Sequence, residues 1–163
     1  MELNLLPIVN CEGKKLPFEV SITLEGFPQK GFRILEPVSV TGDVTNLGGC
    51  LELAADCSAK LELICDRCAE AFETNLTYQL NERLHKEDDA EGGDNPDIVT
   101  FAGNSIELDQ IVYDGLSLSI PTKVLCQDDC KGLCPHCGKN LNYGLCGCKE
   151  DADPRFDVLD KLL

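Results

Sequence analysis

The sequence predicts a mainly β protein: an antiparallel β-meander, arranged as a sandwich or partly open barrel, with one covering helix, a C-terminal zinc-knuckle segment and a short terminal helix. Three observations carry this expectation. Long stretches alternate apolar and polar residues with period two, as strands with one buried face do. The apolar parity then switches across short turn-forming gaps, as a hairpin with an even-numbered loop requires. Finally, six of the eleven cysteines fall within the 23 residues from Cys126 to Cys148.

In chain order, Leu16, Phe18, Val20, Ile22 and Leu24 define the first clear strand, and Gly26-Phe27-Pro28 ends it with chain breakers. The segment Leu3 to Ile8 is expected to pair with it through a turn at Asn10-Cys11-Glu12-Gly13. Val38, Val40 and Val44 lie on even positions, and Gly48-Gly49 is a favourable hairpin loop. Across that loop the register places Val44 opposite Leu53, Val40 opposite Cys57 and Val38 opposite Ala59. Apolar residues then hold odd parity from Leu51 to Cys65 and return on even positions from Cys68 through Phe72, Leu76, Tyr78, Leu80 and Leu84. A two-residue loop, Asp66-Arg67, would place Cys65 directly opposite Cys68, although it also sets Glu70 against Leu63, a misfit.

Residues 86–97, KEDDAEGGDNPD, carry six acidic groups and a single apolar residue, Ala90, which marks a solvated loop. Ile98 to Phe101 reads as a short strand. Leu108, Ile111, Val112, Gly115, Leu116 and Ser119 then recur at helical spacing, predicting a helix over about 108–119 that ends before Pro121 and covers the sheet. Asp153-Pro154 is a favourable helix start leading to Phe156, Leu159 and Leu163. The expected organisation is a β domain over 1–125, with the cysteine-rich segment 126–163 packed on it.

The cysteines read as metal ligands. Cys134-Pro135-His136-Cys137-Gly138 has knuckle spacing, in which two thiolates three residues apart serve one tetrahedral ion and glycine allows the tight turn. Cys146 and Cys148 form a second pair, and the intervening Asn140, Asn142 and Gly144 favour turns that fold it back onto the first. Cys126 and Cys130 then need partners, and Cys65-Asp66-Arg67-Cys68 is the other short C-x-x-C in the chain. Two zinc sites follow: Cys65, Cys68, Cys126 and Cys130, and Cys134, Cys137, Cys146 and Cys148. A swapped arrangement, with the knuckle pair completing the site of Cys65 and Cys68, is also compatible with the spacing. Cys11, Cys50 and Cys57 stand outside both sites, Cys57 as a small residue in an apolar row.

At 163 residues the chain accommodates one ordinary core with a metal appendage. The start Met1-Glu2-Leu3-Asn4 shows no basic n-region, no stretch reaches transmembrane length, and the cysteines are odd in number and closely paired. A reduced, cytoplasmic protein with metal thiolates is therefore expected. The formal net charge is −15, and each zinc ion held by four thiolates would add about two more negative charges. The fourteen Lys and Arg are scattered, so direct non-specific RNA binding is disfavoured and a basic protein partner is the natural electrostatic complement. Two closed all-cysteine sites leave no open ligand position for catalysis, so no enzymatic activity or small-molecule substrate is expected. The alternative is a thiol-redox or zinc-handling protein built on the Cys65–Cys68 dithiol.

Three stretches, CDRC at Cys65 to Cys68, IPTKVLCQDDCKGLCPHCGKNLN at Ile120 to Asn142 and DPRFDVL at Asp153 to Leu159, carry a family resemblance. The chain resembles the YceD-type large ribosomal RNA subunit accumulation proteins. The resemblance implies a bacterial cytoplasmic ribosome-biogenesis factor needed for normal accumulation of 23S ribosomal RNA, in a family with no established catalytic activity. Some relatives resemble this chain at the CDRC hairpin but lack the CPHCG segment, which gives Cys65, Cys68, Cys126 and Cys130 the greater weight as a common feature.

Overall fold

A computed structural model describes residues 1–29, 31–48, 50–87 and 98–148. The acidic stretch from 88 to 97 and the terminal helix expected at Asp153 lie outside the described residues. The elements are β1 (Glu2–Asn4), α1 (Leu6–Val9), β2 (Lys15–Ile22), β3 (Phe32–Ile34), β4 (Val38–Asn46), β5 (Leu51–Ile64), β6 (Ala71–Lys86), β7 (Ile98–Phe101), β8 (Ser105–Glu107) and α2 (Leu108–Ser119). A single 3-10 turn follows at Leu141–Tyr143. The fold is mainly β, as the alternation requires.

Strands β4, β5 and β6 form the expected antiparallel meander at the centre of a six-stranded sheet of order β2-β4-β5-β6-β7. Val44 faces Leu53 and Val40 faces Cys57, so the glycine turn sets the register read from the sequence. On the outer side of β4, Leu16 meets Val44, Val20 meets Val40 and Ile22 meets Val38. Apolar side chains thus line up in rows across one face. Val38, Val40, Val44, Leu53, Leu61 and Leu84 are at most 1% exposed, and each such burial contributes about 2 kcal/mol.

β5 is longer than the part of it that β4 covers. β4 pairs only up to Ser58, and β3 fills the remaining edge by setting Phe32 against Leu63 and Ile34 against Leu61. Strand β7 runs parallel to β6, so the sheet is mixed where a purely antiparallel meander was expected.

The expected pairing of Leu3 to Ile8 with β2 is not formed. β1 instead pairs with β8, and Leu6–Val9 is one helical turn with Pro7 in its first positions. Proline has no N–H to donate to a ladder but suits a helix start. Asn46, 5% exposed, stabilises this alternative: its side-chain amide donates to the carbonyls of Ile8 at 2.7 Å and Val9 at 2.9 Å. Leu5 and Ile8 are thereby fully buried in the main core.

Helix α2 covers β6 with Leu108, Ile111, Val112 and Leu116 inward. The Tyr78 hydroxyl donates to the Val112 carbonyl at 2.9 Å. Gly115 sits at the close approach: a Cβ there would collide with Leu80 Cδ2 and lie 3.2 Å from Tyr78 Cε2. Ile120 leaves the helix in extended conformation before Pro121 and directs the chain to the β5–β6 hairpin. Among the described residues no helix is long and apolar enough to cross a membrane.

Candidate metal centres

The end of the β5–β6 hairpin differs from the two-residue loop expected at Asp66-Arg67. Leu63 pairs with Phe72 and Ile64 with Ala71, while Cys65 N–H donates to the Glu70 carbonyl at 2.9 Å. The loop therefore comprises residues 66–69, and Cys68 lies within it rather than across the ladder from Cys65. Moving the register by two residues preserves parity, so the apolar pattern fits either loop. The Glu70–Leu63 misfit was the signal, and placing Phe72 on Leu63 removes it.

Ala69 closes the loop at φ +58, a left-handed conformation unfavourable for a residue with a Cβ. Ala69→Gly should raise stability by about 1 kcal/mol, read by chemical denaturation. No change or a loss would show that the alanine side chain contributes packing that outweighs the strain.

The second cysteine pair arrives from α2. Val124 N–H donates to Asp66 Oδ2 at 2.6 Å, and Asp66 N–H donates to the Val124 carbonyl at 2.9 Å, which docks the post-helix segment on the hairpin loop. Arg67 extends this docking by donating to the Cys130 carbonyl at 2.8 Å and accepting from Leu133 N–H at 3.1 Å. Gly132 fits here because its Cα side faces the Arg67 backbone, where an added Cβ would lie 3.0 Å from the Arg67 oxygen.

These contacts gather Cys65, Cys68, Cys126 and Cys130, whose sulfurs lie within 4.8 Å of one another. Cys65 and Cys130 Sγ are 3.8 Å apart, and Cys68 and Cys126 Sγ are 3.7 Å apart. Those separations fit a tetrahedral ion, since metal–sulfur bonds of about 2.3 Å place sulfurs roughly 3.8 Å apart. They are too long for a disulfide, whose sulfurs sit about 2.05 Å apart. Three of the four cysteines are buried and Cys126 is half-buried.

Cys134, Cys137, Cys146 and Cys148 form the other set, again within 4.8 Å. The swapped arrangement is not the one the structure adopts. The knuckle is closed by Gly138 N–H to the Cys134 carbonyl at 2.9 Å and by Cys134 N–H to the Lys139 carbonyl at 2.8 Å. Asn140 caps the 3-10 turn by accepting from Asn142 N–H at 2.9 Å, and Lys139 Nζ holds the Leu145 carbonyl at 3.0 Å. This set is open to solvent at Cys137 and Cys148. His136 is exposed and stands outside both sets.

In each set one thiol is favoured as a thiolate and at least one other is held protonated. Burial opposes ionisation of Cys65, but backbone N–H groups of Cys126, Cys68 and Arg67 together with the Cys68 thiol bring it down to about 6. Backbone donors at Cys137 and His136, and the Cys146 thiol, likewise lower Cys134 to about 6. Burial and hydrogen bonding to Cys130 push Cys126 up to about 12, while hydrogen bonding to Cys137 and burial hold Cys148 at about 12. A four-thiol set thus loses its first proton easily and keeps its last, and a divalent cation completes the deprotonation by displacing protons.

Of the cysteines left outside these sets, Cys57 is buried with its thiol raised to about 11 chiefly by burial, and Cys11 is exposed. The sequence reading missed four supporting residues. In sequence Asp66 and Arg67 read as loop residues, Arg67 also as a cation able to favour a neighbouring thiolate, and Asn142 reads as a turn former. Tyr143, whose hydroxyl donates to Glu70 Oε2 at 2.9 Å, had no sequence signal at all.

The molecule is therefore a β-sheet protein with a cysteine-rich appendage that builds two candidate metal centres, one of them shared with the β5–β6 hairpin. The family model for the large ribosomal RNA subunit accumulation protein YceD matches residues 53–163, from β5 through both cysteine sets, and the chain belongs to that family. A chloroplastic protein of Zea mays named large ribosomal RNA subunit accumulation protein YCED homolog 1 is 32% identical over 143 residues, covering 69% of this chain and 49% of the maize protein. An uncharacterized protein of Mycobacterium tuberculosis is 30% identical over 101 residues, covering 61% of this chain and 49% of that protein. A Mycobacterium leprae relative, also uncharacterized, is 28% identical over 86 residues, covering 47% of this chain and 36% of its own length. The chain spans about half the length of most of the curated relatives it matches. No solved structure matches it.

Proposed function

We propose that the chain is a non-enzymatic, cytoplasmic ribosome-biogenesis factor that supports 23S ribosomal RNA accumulation by binding a basic ribosomal or assembly protein. Family membership supports the ribosomal part of this reading. The observation that carries the partner is charge: 29 acidic against 14 basic residues give a net −15, which opposes contact with a phosphate backbone and favours a cationic protein. Such a factor would steer its partner electrostatically and shield it until RNA displaces the factor, so loss of the factor would deplete the RNA indirectly.

In this reading the eight cysteines hold two zinc ions with structural roles. Zinc suits sets made of four thiolates, and among the described residues no imidazole or carboxylate joins either set. Among the described residues no other group of His, Cys, Asp and Glu gathers its ligand atoms this closely. Zinc in the first set would cross-link the hairpin to the post-helix segment, and zinc in the second would join the two cysteine pairs of residues 134–148.

Affinity capture from growing cells at low and high salt tests the proposal. The expected result is a basic ribosomal or assembly protein retained at low salt and lost at high salt. Tight binding of the isolated protein to a 23S ribosomal RNA fragment at physiological salt, with no basic protein captured, would overturn it.

A further inference from the structure

We infer that the two metal centres are coupled, with the exposed second set closing a loop that holds Asn142 against the buried first set. The inference rests on the reading of both sets as zinc sites.

Asn142 belongs to the segment between the knuckle cysteines and Cys146, yet its side chain serves the other centre. Its Nδ2 donates to Cys130 Sγ at 3.3 Å, while its Oδ1 accepts from Lys131 N–H at 2.8 Å. The second bond fixes the amide orientation, because a backbone N–H can face only the oxygen and the NH2 group must then face the sulfur. A donor of this kind stabilises an anionic metal-bound sulfur and orients it.

The turn bearing Asn142 has three other ties. Leu141 N–H donates to the Gly132 carbonyl at 2.9 Å, Leu133 bridges Asn140, and Tyr143 reaches Glu70 on the hairpin. At both ends the turn is flanked by ligands of the second set. Cys134 and Cys137 precede it, and Cys146 and Cys148 follow it, so an ion joining these pairs closes the loop around the turn. Losing that ion opens the loop and weakens the hold of Asn142 on Cys130. The burial contrast gives the direction of coupling. Cys65, Cys68 and Cys130 are at most 3% exposed, whereas Cys137 and Cys148 are open to water and chelators.

The test is a competition titration of the zinc-loaded full chain against a chromogenic chelator. The wild type should release its two equivalents in two steps, and Cys137→Ser should abolish the first. Asn142→Asp keeps an acceptor for Lys131 N–H but removes the donor to sulfur. It should leave the first step in place and shift the second to about 10-fold lower chelator. Cys137→Ser should shift its remaining step in the same direction. If Asn142→Asp does not fold, Tyr143→Phe decides, since it loosens the same turn at an exposed position and should also ease the second step. Two equivalents whose second step is unmoved by these variants would overturn the coupling alone. Uptake of fewer than two equivalents would overturn both the coupling and the zinc reading.

Discussion

Purified under reducing conditions without chelator, the protein should carry two equivalents of zinc per chain, and stripping them should free the 126–148 segment from the hairpin while the sheet persists. The two parts depend on metal differently. The sheet has its own apolar core, built from β2, β4, β5, β6 and α2, whereas the segment after Pro121 contributes few buried apolar residues beyond the cysteines themselves. Structural zinc binding is commonly equivalent to about 10 kcal/mol or more of folding free energy in small cysteine-rich units, so its removal should dominate that segment's order. Metal analysis gives the stoichiometry, and amide exchange before and after chelation locates the change. A chain carrying one equivalent or none, with reversible oxidation of Cys65 and Cys68, would return it to the thiol-redox reading.

Replacing Cys65 or Cys130 by serine should destabilise the protein far more than Cys146→Ser. Both are buried, and their sulfurs sit where the end of β5 meets the post-helix segment, so losing either ligand leaves the remaining thiolates crowded in an apolar site. The penalty should be about 3 kcal/mol, the scale of a broken buried charge cluster, which lowers the unfolding midpoint by on the order of 10 °C in a chain of this size. Cys146 is half-buried, and water can solvate what its loss leaves behind. The expected thermal shift there is a few degrees. Equal shifts for the three variants would contradict the different structural roles of the two centres.

The central part of the fold was readable because alternation and turn chemistry agree there. Val40 on Cys57 follows from a glycine turn with a fixed loop length, and α2 begins and ends where its apolar stripe does. The hairpin tip was harder for a physical reason: loops of two and four residues give the same side-chain parity, and only Glu70 distinguished them. β3 escaped notice because three residues are too few to show a period, although Phe32 and Ile34 do continue the apolar rows. The route of Leu3 to Ile8 turned on one buried amide, Asn46, which lies some 38 residues away in sequence. Cysteine spacing pointed to the two groups that the structure assembles, but the hydrogen bonds of Asp66, Arg67 and Asn142 that position them are tertiary contacts without a local pattern.

The two cysteine sets also differ in how much chain each must close. Cys65 and Cys130 are 65 positions apart, and they meet only after the hairpin and α2 have formed, whereas all four members of the other set lie between residues 134 and 148. Closing the short span costs little conformational entropy, so an unfolded chain should still capture an ion there. During synthesis the knuckle set should accordingly form as soon as it emerges, independently of the sheet, and the long-range set should close last. Denaturation should then release one ion rather than two, making the midpoint depend on free zinc chiefly through the long-range site, because an ion that the unfolded chain also holds favours the folded state only by the difference between its two affinities.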